Sequence, residues 1–337
     1  MRLDRLWLTD FRNYATAELA PAAEGLTVVQ GANGEGKTNL LEAIGYLATL
    51  SSFRGAPGEA MIRMDCRTAV VRAEGQRDGR SLLLEAQLNA TGRDRVLVNR
   101  QPLRRTRDLL GALRVSVFSP DDLDLVKGGP GARRTYLDET LVAVHRRNDE
   151  LRSDLDRVLR QRNTLLRQSG GRPTAEVTAT LDVWDTKLAS TGEALAAARA
   201  DLVARMEPVI GKAYDQVASA AADVTAAYVR SWDGPLAEAL TAARTDDLRR
   251  GVSTVGPHRD ELALRIGAMP ARTHSSQGEQ RSLALALRLA AHEVVTEEAG
   301  SAPVLLLDDV FSELDPSRSE ALLVHLPPGQ ALLTTAG

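Results

Sequence analysis

The sequence predicts an α/β fold assembled from both ends of the chain, with an α-helical second domain inserted between them. Three observations predict it. Near the N-terminus, LTVVQ (26–30) runs through the glycine-rich turn GANGEGKT into a helix expected over Lys37–Ala48. Near the C-terminus, APVLLLDD (302–309) has the form of a buried strand ending in two acids. Between them, apolar residues recur at alternating spacings of four and three, the period of helices packed along a seam.

Each element follows from its local pattern. LTVVQ is short, apolar and bounded by glycine, as a buried strand is. TAVVRAEG, SLLLEAQL and RVLVN are strand-like runs separated by Gly, Asp and Arg, and VSVF (115–118) is another before the Pro120 break. In the middle, Leu137, Leu141, Val144, Asn148, Leu151, Leu155, Val158, Arg162 and Leu165 form one seam with two polar members. After GGRP (170–173) the spacing returns at Leu181, Trp184, Leu188, Thr191, Leu195, Ala198 and Leu202. Two arms of roughly 30 residues joined by a tight turn predict a short antiparallel helical hairpin, with an ordinary helical bundle as the alternative. Pro208 should end or kink the second arm. The α/β character resumes with ELALRI, the helix after Ser276, the acid-tipped strand, a helix from Pro316 and a last strand QALLTT. The ends, 1–118 and 251–337, are thus expected to form one domain and 119–250 the insert.

Composition narrows the class. No apolar run approaches the ~20 residues that a membrane-spanning helix needs, and MRLDRLWLTDFRNY is too charged for a signal peptide. A single cysteine, Cys66, excludes a disulfide framework and a cysteine zinc cluster. A cytoplasmic protein is expected. Residues 133–172 hold ten Arg against six acids, whereas 293–320 hold eight acids against one Arg. That asymmetry suits a basic face for phosphates and an acidic cluster for a metal. With 38 Arg and only four Lys, however, Arg abundance by itself says little about DNA. Aromatics are 4% of residues, too few for a platform that stacks single-stranded bases, so any DNA would be held by charge and shape.

The chemistry sits in three segments. Gly31, Ala32, Asn33, Gly34, Glu35, Gly36, Lys37 and Thr38 fit G-x-x-x-x-G-K-[ST] between a strand and a helix. In such a loop backbone amides wrap the phosphates of ATP, Lys37 reaches the β and γ phosphates, and Thr38 supplies a hydroxyl to Mg2+. Asp308 at the tip of the apolar strand would hold the same Mg2+, and Asp309 stands where a general base could polarise water. The third segment, Ser276–Gln280, has two readings. Ser276 and Glu279 form a capping box. Gly278 and Gln280 offer backbone and a side-chain amide at the positive end of a helix, where an anion binds well.

These three segments together resemble the motif set of ABC-type ATPases. That resemblance implies that the S-x-G-x-Q segment, with Ser276, Gly278 and Gln280, caps the γ-phosphate held by a second protomer, making an ATP-sandwiched homodimer. The order of L-x-x-F-R-N-Y (8–14), SPDDLDLVKGGPGARRTYLD (119–138), RQRN (160–163), GPHRDEL (256–262), SQGEQRSLALALRLA (276–290) and LLLDDVFSELD (305–315) resembles, more narrowly, the RecF family of bacterial DNA replication and repair proteins. The resemblance implies an ABC/SMC-type P-loop ATPase head and slow, DNA-stimulated hydrolysis. It also implies sequence-nonspecific binding of DNA at gaps or single-strand/double-strand junctions, and help in loading RecA with RecR and RecO. By it, Ser312–Asp315 match a loop that crosses the dimer seam, Arg12 and Arg54 are placed near nucleotide, and one more strand is expected after TTAG (334–337). Asp309 stands where most ABC proteins have Glu; its side chain is one methylene shorter, which implies slow turnover. Arg104, Arg105, Arg107, Arg133 and Arg134 are the candidate DNA contacts.

Other ATPase classes fit less well. A transporter subunit has a much shorter interval than the 245 residues between Gly31 and Ser276. A zinc-hook ATPase needs C-x-x-C at the hairpin tip, where this chain has GGRP. Retention of Lys37, Thr38, Asp308 and Asp309 argues against a clamp that does not hydrolyse ATP.

Overall fold

The computed structural model describes residues 1–218 and 220–336, apart from the side chain of Glu313. Gly337, the last residue of TTAG, lies outside them. The chain divides into two compact units, one comprising Met1–Leu123, Val209–Ala222 and Ser276–Gly337, the other Asp124–Pro208 and Asp223–Ser275.

In the first unit an antiparallel sheet runs in the order Tyr14–Leu19, Arg2–Phe11, Thr68–Arg77, Arg80–Asn89, Arg95–Val98, Gln101–Pro102. A parallel sheet runs Gly25–Gln30, Gln330–Thr335, Val304–Asp308, Val115–Phe118. The helix Lys37–Thr49 packs on strands of both sheets and is buried from Leu40 to Ala48, which is why that stretch is apolar apart from Glu42. Gln330 ties the sheets together: its side-chain oxygen accepts from Leu3 N at 2.7 Å, and its amide donates to the carbonyls of Leu3 and Ala22. The Gly25–Gln30 strand corrects one expectation. It is an edge strand of the parallel sheet among the described residues, and Leu26 and Val28 are exposed where a buried strand was expected.

His292, on the helix Gln277–Ala299, is 3% exposed, and its Nδ1 lies 2.9 Å from the Ser116 hydroxyl. Burial lowers its pKa from 6.5 to about 4. The unfolded chain therefore takes up a proton near pH 6.5 that the folded chain refuses until about pH 4. Stability from this group is full above that window and falls as the pH drops through it, by about 2 kcal/mol between about pH 7 and pH 5. Urea unfolding at the two pH values should show this drop, and His292→Gln should flatten it.

In the second unit the helices Pro130–Val144, Asn148–Gln168, Ala175–Val217 (its last turns, from Val209, belong to the first unit) and Leu236–Arg250 accompany a small antiparallel sheet. Its strands are Val224–Val229, Glu261–Ile266 and Met269–Pro270. The hairpin is present. Arg162 meets Asp185 and Leu166 clusters with Leu181, so the two helices run antiparallel on either side of the turn. Gly170 and Gly171 both take positive φ there, and the Thr174 hydroxyl accepts from Val177 N to start the second helix.

One detail differs from expectation, and of the two outcomes expected at Pro208 one is excluded. The first arm is two helices, because the chain extends at His145 and the Asn148 amide donates to the Leu141 carbonyl, ending the helix that carries Leu137, Leu141 and Val144. The second arm does not end at Pro208. The helix runs through it to Val217, giving up one backbone hydrogen bond.

One of the two polar members of the seam, Arg162, is fully buried, donating to Asp185 and Asp247 at 2.6 Å each and to Ser253 at 2.8 Å. Arg162→Met would leave the fully buried Asp247 without a cation and Asp185 with Arg244 alone. This should destabilise the helical unit by about 3–5 kcal/mol in chemical denaturation while nucleotide affinity persists.

Candidate functional site

The phosphate loop is shaped for an anion. Gly34 and Gly36 have φ of 86° and 103°, open to glycine, and Gly36 caps the Lys37–Thr49 helix without any side-chain bond. The first amides of that helix are therefore available to a ligand. The Ala32 amide donates to the Glu35 carboxylate at 2.8 Å, so one loop amide already holds an anionic oxygen. Lys37 Nζ donates to the carbonyls of Gly31 and Ala32 at 2.7 and 2.8 Å, which keeps the ammonium over the loop. Asn33, Gly34 and Glu35 are exposed.

The acid-tipped strand reaches the end of this loop. Thr38 Oγ1 donates to Asp308 Oδ1 at 2.7 Å, across 270 residues of sequence, and Thr334 Oγ1 donates to the same oxygen at 2.8 Å. Burial raises the Asp308 pKa, the hydroxyls of Thr38 and Thr334 oppose that shift, Asp309 adds to it, and Arg54 counters it. Asp309 holds the left-handed conformation, φ 46°, uncommon for a residue with a side chain, and its amide donates to Thr334 Oγ1 at 3.0 Å. Among the described residues no group of three or more His, Cys, Asp or Glu could hold a metal. A hydroxyl and one carboxylate are instead the hard-oxygen donors with which a protein shares Mg2+ with phosphates and water.

The third segment forms the capping box in full. The Ser276 amide donates to Glu279 Oε2 at 2.7 Å and Glu279 N donates to the Ser276 hydroxyl at 3.3 Å. The Ser276 amide first, and then the Ser276 hydroxyl, hold the Glu279 carboxyl below its ordinary pKa. Ser276 is exposed, and Gly278 faces the Arg318 guanidinium. Gln280 corrects the expectation of an offered amide. It is 5% exposed, because it lies on the same helix face as the buried Leu283, Ala284 and Leu287.

Other residues acquire roles that their types alone did not reveal. In the F-R-N-Y segment, Arg12 does not point freely to a ligand; it pairs through two nitrogens with Glu42, which is fully buried, and donates to the Ala60 carbonyl. Asn13 donates to the Glu35 carbonyl, accepts from Asn39, and lies 2.5 Å from where a Cβ at position 36 would stand. This segment therefore props the phosphate loop from below, and any residue but glycine at 36 would collide with Asn13. Arg54 donates to Asn39 Oδ1 at 3.3 Å. Of the arginines expected to meet DNA, Arg133 is buried in a two-nitrogen pair with Glu261, because its position on the Pro130–Val144 helix faces the small sheet. Arg104, Arg105 and Arg107 are exposed, and Arg134 is half-buried, donating to the Asp260 carbonyl. No helix among the described residues is long and apolar enough to cross a membrane.

The model of the RecF/RecN/SMC N terminal domain matches residues 2–329. The chain is 45% identical to the DNA replication and repair protein RecF of Streptomyces avermitilis, covering 100% of this chain and 93% of that protein. It is 41% identical to the RecF of Cutibacterium acnes over 100% of this chain and 92% of that one. Among solved structures it superposes on the recombination mediator protein RecF-ATP of the RecFOR pathway with a TM-score of 0.93 at 30% identity, covering 100% of this chain and 92% of that one. A Pyrococcus furiosus Smc head domain matches at a TM-score of 0.55 and 14% identity over 100% of this chain and 90% of that one, a likeness of fold.

Proposed function

This chain belongs to the RecF family, and from that premise we propose that it is an ATP-dependent DNA-binding protein of recombinational repair and replication that works as an ATP-sandwiched dimer. The observation that carries the reading is the Thr38–Asp308 bond, which sets the end of a phosphate loop against the acid-tipped strand. The solved RecF-ATP structure supports ATP as the nucleotide, since the likeness to it covers the whole chain.

Each residue then has a task. The uncapped amides after Gly36 and the loop from Gly31 wrap the phosphates. Lys37 leaves the Gly31 and Ala32 carbonyls for the β and γ phosphates, exchanging two neutral acceptors for anionic ones. Thr38 and Asp308 would hold Mg2+, which when bound supplies positive charge to the transferring phosphoryl group. Asp309 orients and polarises the attacking water from a backbone fixed by Thr334, and its short side chain makes hydrolysis slow. Ser276 and the Gly278 backbone meet the γ-phosphate of the partner's ATP at the positive end of a 23-residue helix.

DNA is held at gaps or junctions by charge and shape, with Arg104, Arg105 and Arg107 as candidate phosphate contacts, and the bound dimer helps load RecA together with RecR and RecO. Turnover of ATP measured alone and with a gapped duplex tests the reading. A low basal rate that rises with DNA is expected. ATP binding with no turnover under either condition would instead make the chain a clamp that does not hydrolyse.

A further inference from the structure

The side chain of Arg318 joins two segments that are far apart in sequence. It belongs to the helix Pro316–Val324, just beyond the Ser312–Asp315 loop. Its Nε donates to the Ser282 hydroxyl at 3.2 Å, on the helix that begins at Gln277. Its Nη1 donates to the carboxylate of Asp315, the residue that caps its own helix through Arg318 N. The plane of the guanidinium lies over Gly278: a Cβ there would stand 2.7 Å from Nη2 and 3.0 Å from both Cζ and Nη1. Near-equal distances to three guanidinium atoms mean a face-on approach, which only glycine permits. Gly278 therefore has a task in its own protomer, besides baring backbone to a phosphate. The side chain is about one-fifth exposed, enough to be fixed by these contacts and still near the surface.

We infer that Arg318 is a positioning residue that locks the Ser276–Gln280 helix start and the Ser312–Asp315 loop into one block, so that both arrive together at the partner's nucleotide. This rests on the two-protomer reading above. The planar fork suits the task because two of its nitrogens bond groups on two different elements while its face covers the glycine. A lysine ammonium at the same place could reach one of these groups but has no plane to lay on Gly278.

The test compares wild type, Arg318→Ala and Arg318→Lys in nucleotide affinity, ATP-induced mass and steady-state turnover, with thermal unfolding as a check on folding. Arg318→Ala should keep the monomer's ATP affinity, KM for ATP and melting temperature, but weaken ATP-dependent dimerisation and lower kcat by about tenfold or more, the scale of one lost charge-assisted contact. Arg318→Lys should recover little of either. Ser282→Ala added to Arg318→Ala should cost no further dimerisation or kcat, because its bond to Arg318 is already gone; loss of the hydroxyl's other bond, to the Val217 carbonyl at 3.4 Å, should show only in the melting temperature. Dimerisation and kcat at wild-type levels in Arg318→Ala, or an equal loss of monomer ATP affinity, would overturn the assignment while leaving the sandwich reading in place. A wild type that gains no mass with ATP would overturn the sandwich reading, and this inference with it.

Discussion

Lys37→Met is expected to abolish ATP binding, and with it every ATP-dependent step. The ammonium is the loop's own positive charge, held 2.7 and 2.8 Å from two loop carbonyls and so already in place over the phosphate position. Methionine keeps the length of the side chain but offers the phosphates no donor. A lost charge-assisted contact of this kind costs ~3 kcal/mol, more than a hundredfold in affinity. The fold should be spared, because the lysine bonds only carbonyls of an exposed loop. Fluorescent-nucleotide titration measures it, and wild-type affinity in the variant would remove the phosphate-site assignment.

Ser276→Arg should have an equally large effect on a different step. As a cap alone, Ser276 contributes about 1 kcal/mol, since its hydroxyl accepts one amide at 3.3 Å. As the residue that meets the partner's γ-phosphate, it sits where a bulky guanidinium blocks closure. Nucleotide affinity of the monomer should then be nearly intact, while ATP-dependent dimerisation and turnover are lost. A variant that dimerises at wild-type strength would leave Ser276 with the cap and nothing more. The capping box is formed in full, so both roles fall on one side chain, and only the two-step measurement separates them.

The local structure of the three motif segments is legible because each is a contiguous pattern. Gly31–Thr38, Ser276–Glu279 and Val304–Asp309 all lie on the elements their patterns predict. What stayed hidden lies in pairings across long stretches of sequence. Nothing local in FRNY says that Arg12 will be spent on Glu42, thirty residues away, or that Asn13 will stand under Gly36. Arg318 looks like one more surface arginine until Gly278 and Ser282 are beside it. The first strand, Arg2–Phe11, departs from a legible strand pattern for a geometric reason. Its register shifts between Leu3 and Arg5, so the buried Leu3 and Leu6 are three apart and the two-residue alternation is broken. Similarly, the basic run of the insert did not predict a basic face. Arg133, a candidate DNA contact, is buried against Glu261, and Arg162, which lies in the same run but on the helical seam, is buried against Asp185 and Asp247.

The central claim is that each nucleotide is held between the phosphate loop of one protomer and the Ser276 helix of the other. Mixing two inactive variants tests it most directly. Lys37→Met binds no ATP but keeps a sound Ser276 helix, whereas Ser276→Arg binds ATP but cannot close over a partner's. Paired, they form one complete site: the phosphate loop of the Ser276→Arg protomer under the helix of the Lys37→Met protomer. ATP turnover should therefore reappear on mixing, at a rate that rises with the concentration of either variant. A mixture that stays as inactive as its separate components, under conditions where the wild type turns over, would contradict the account.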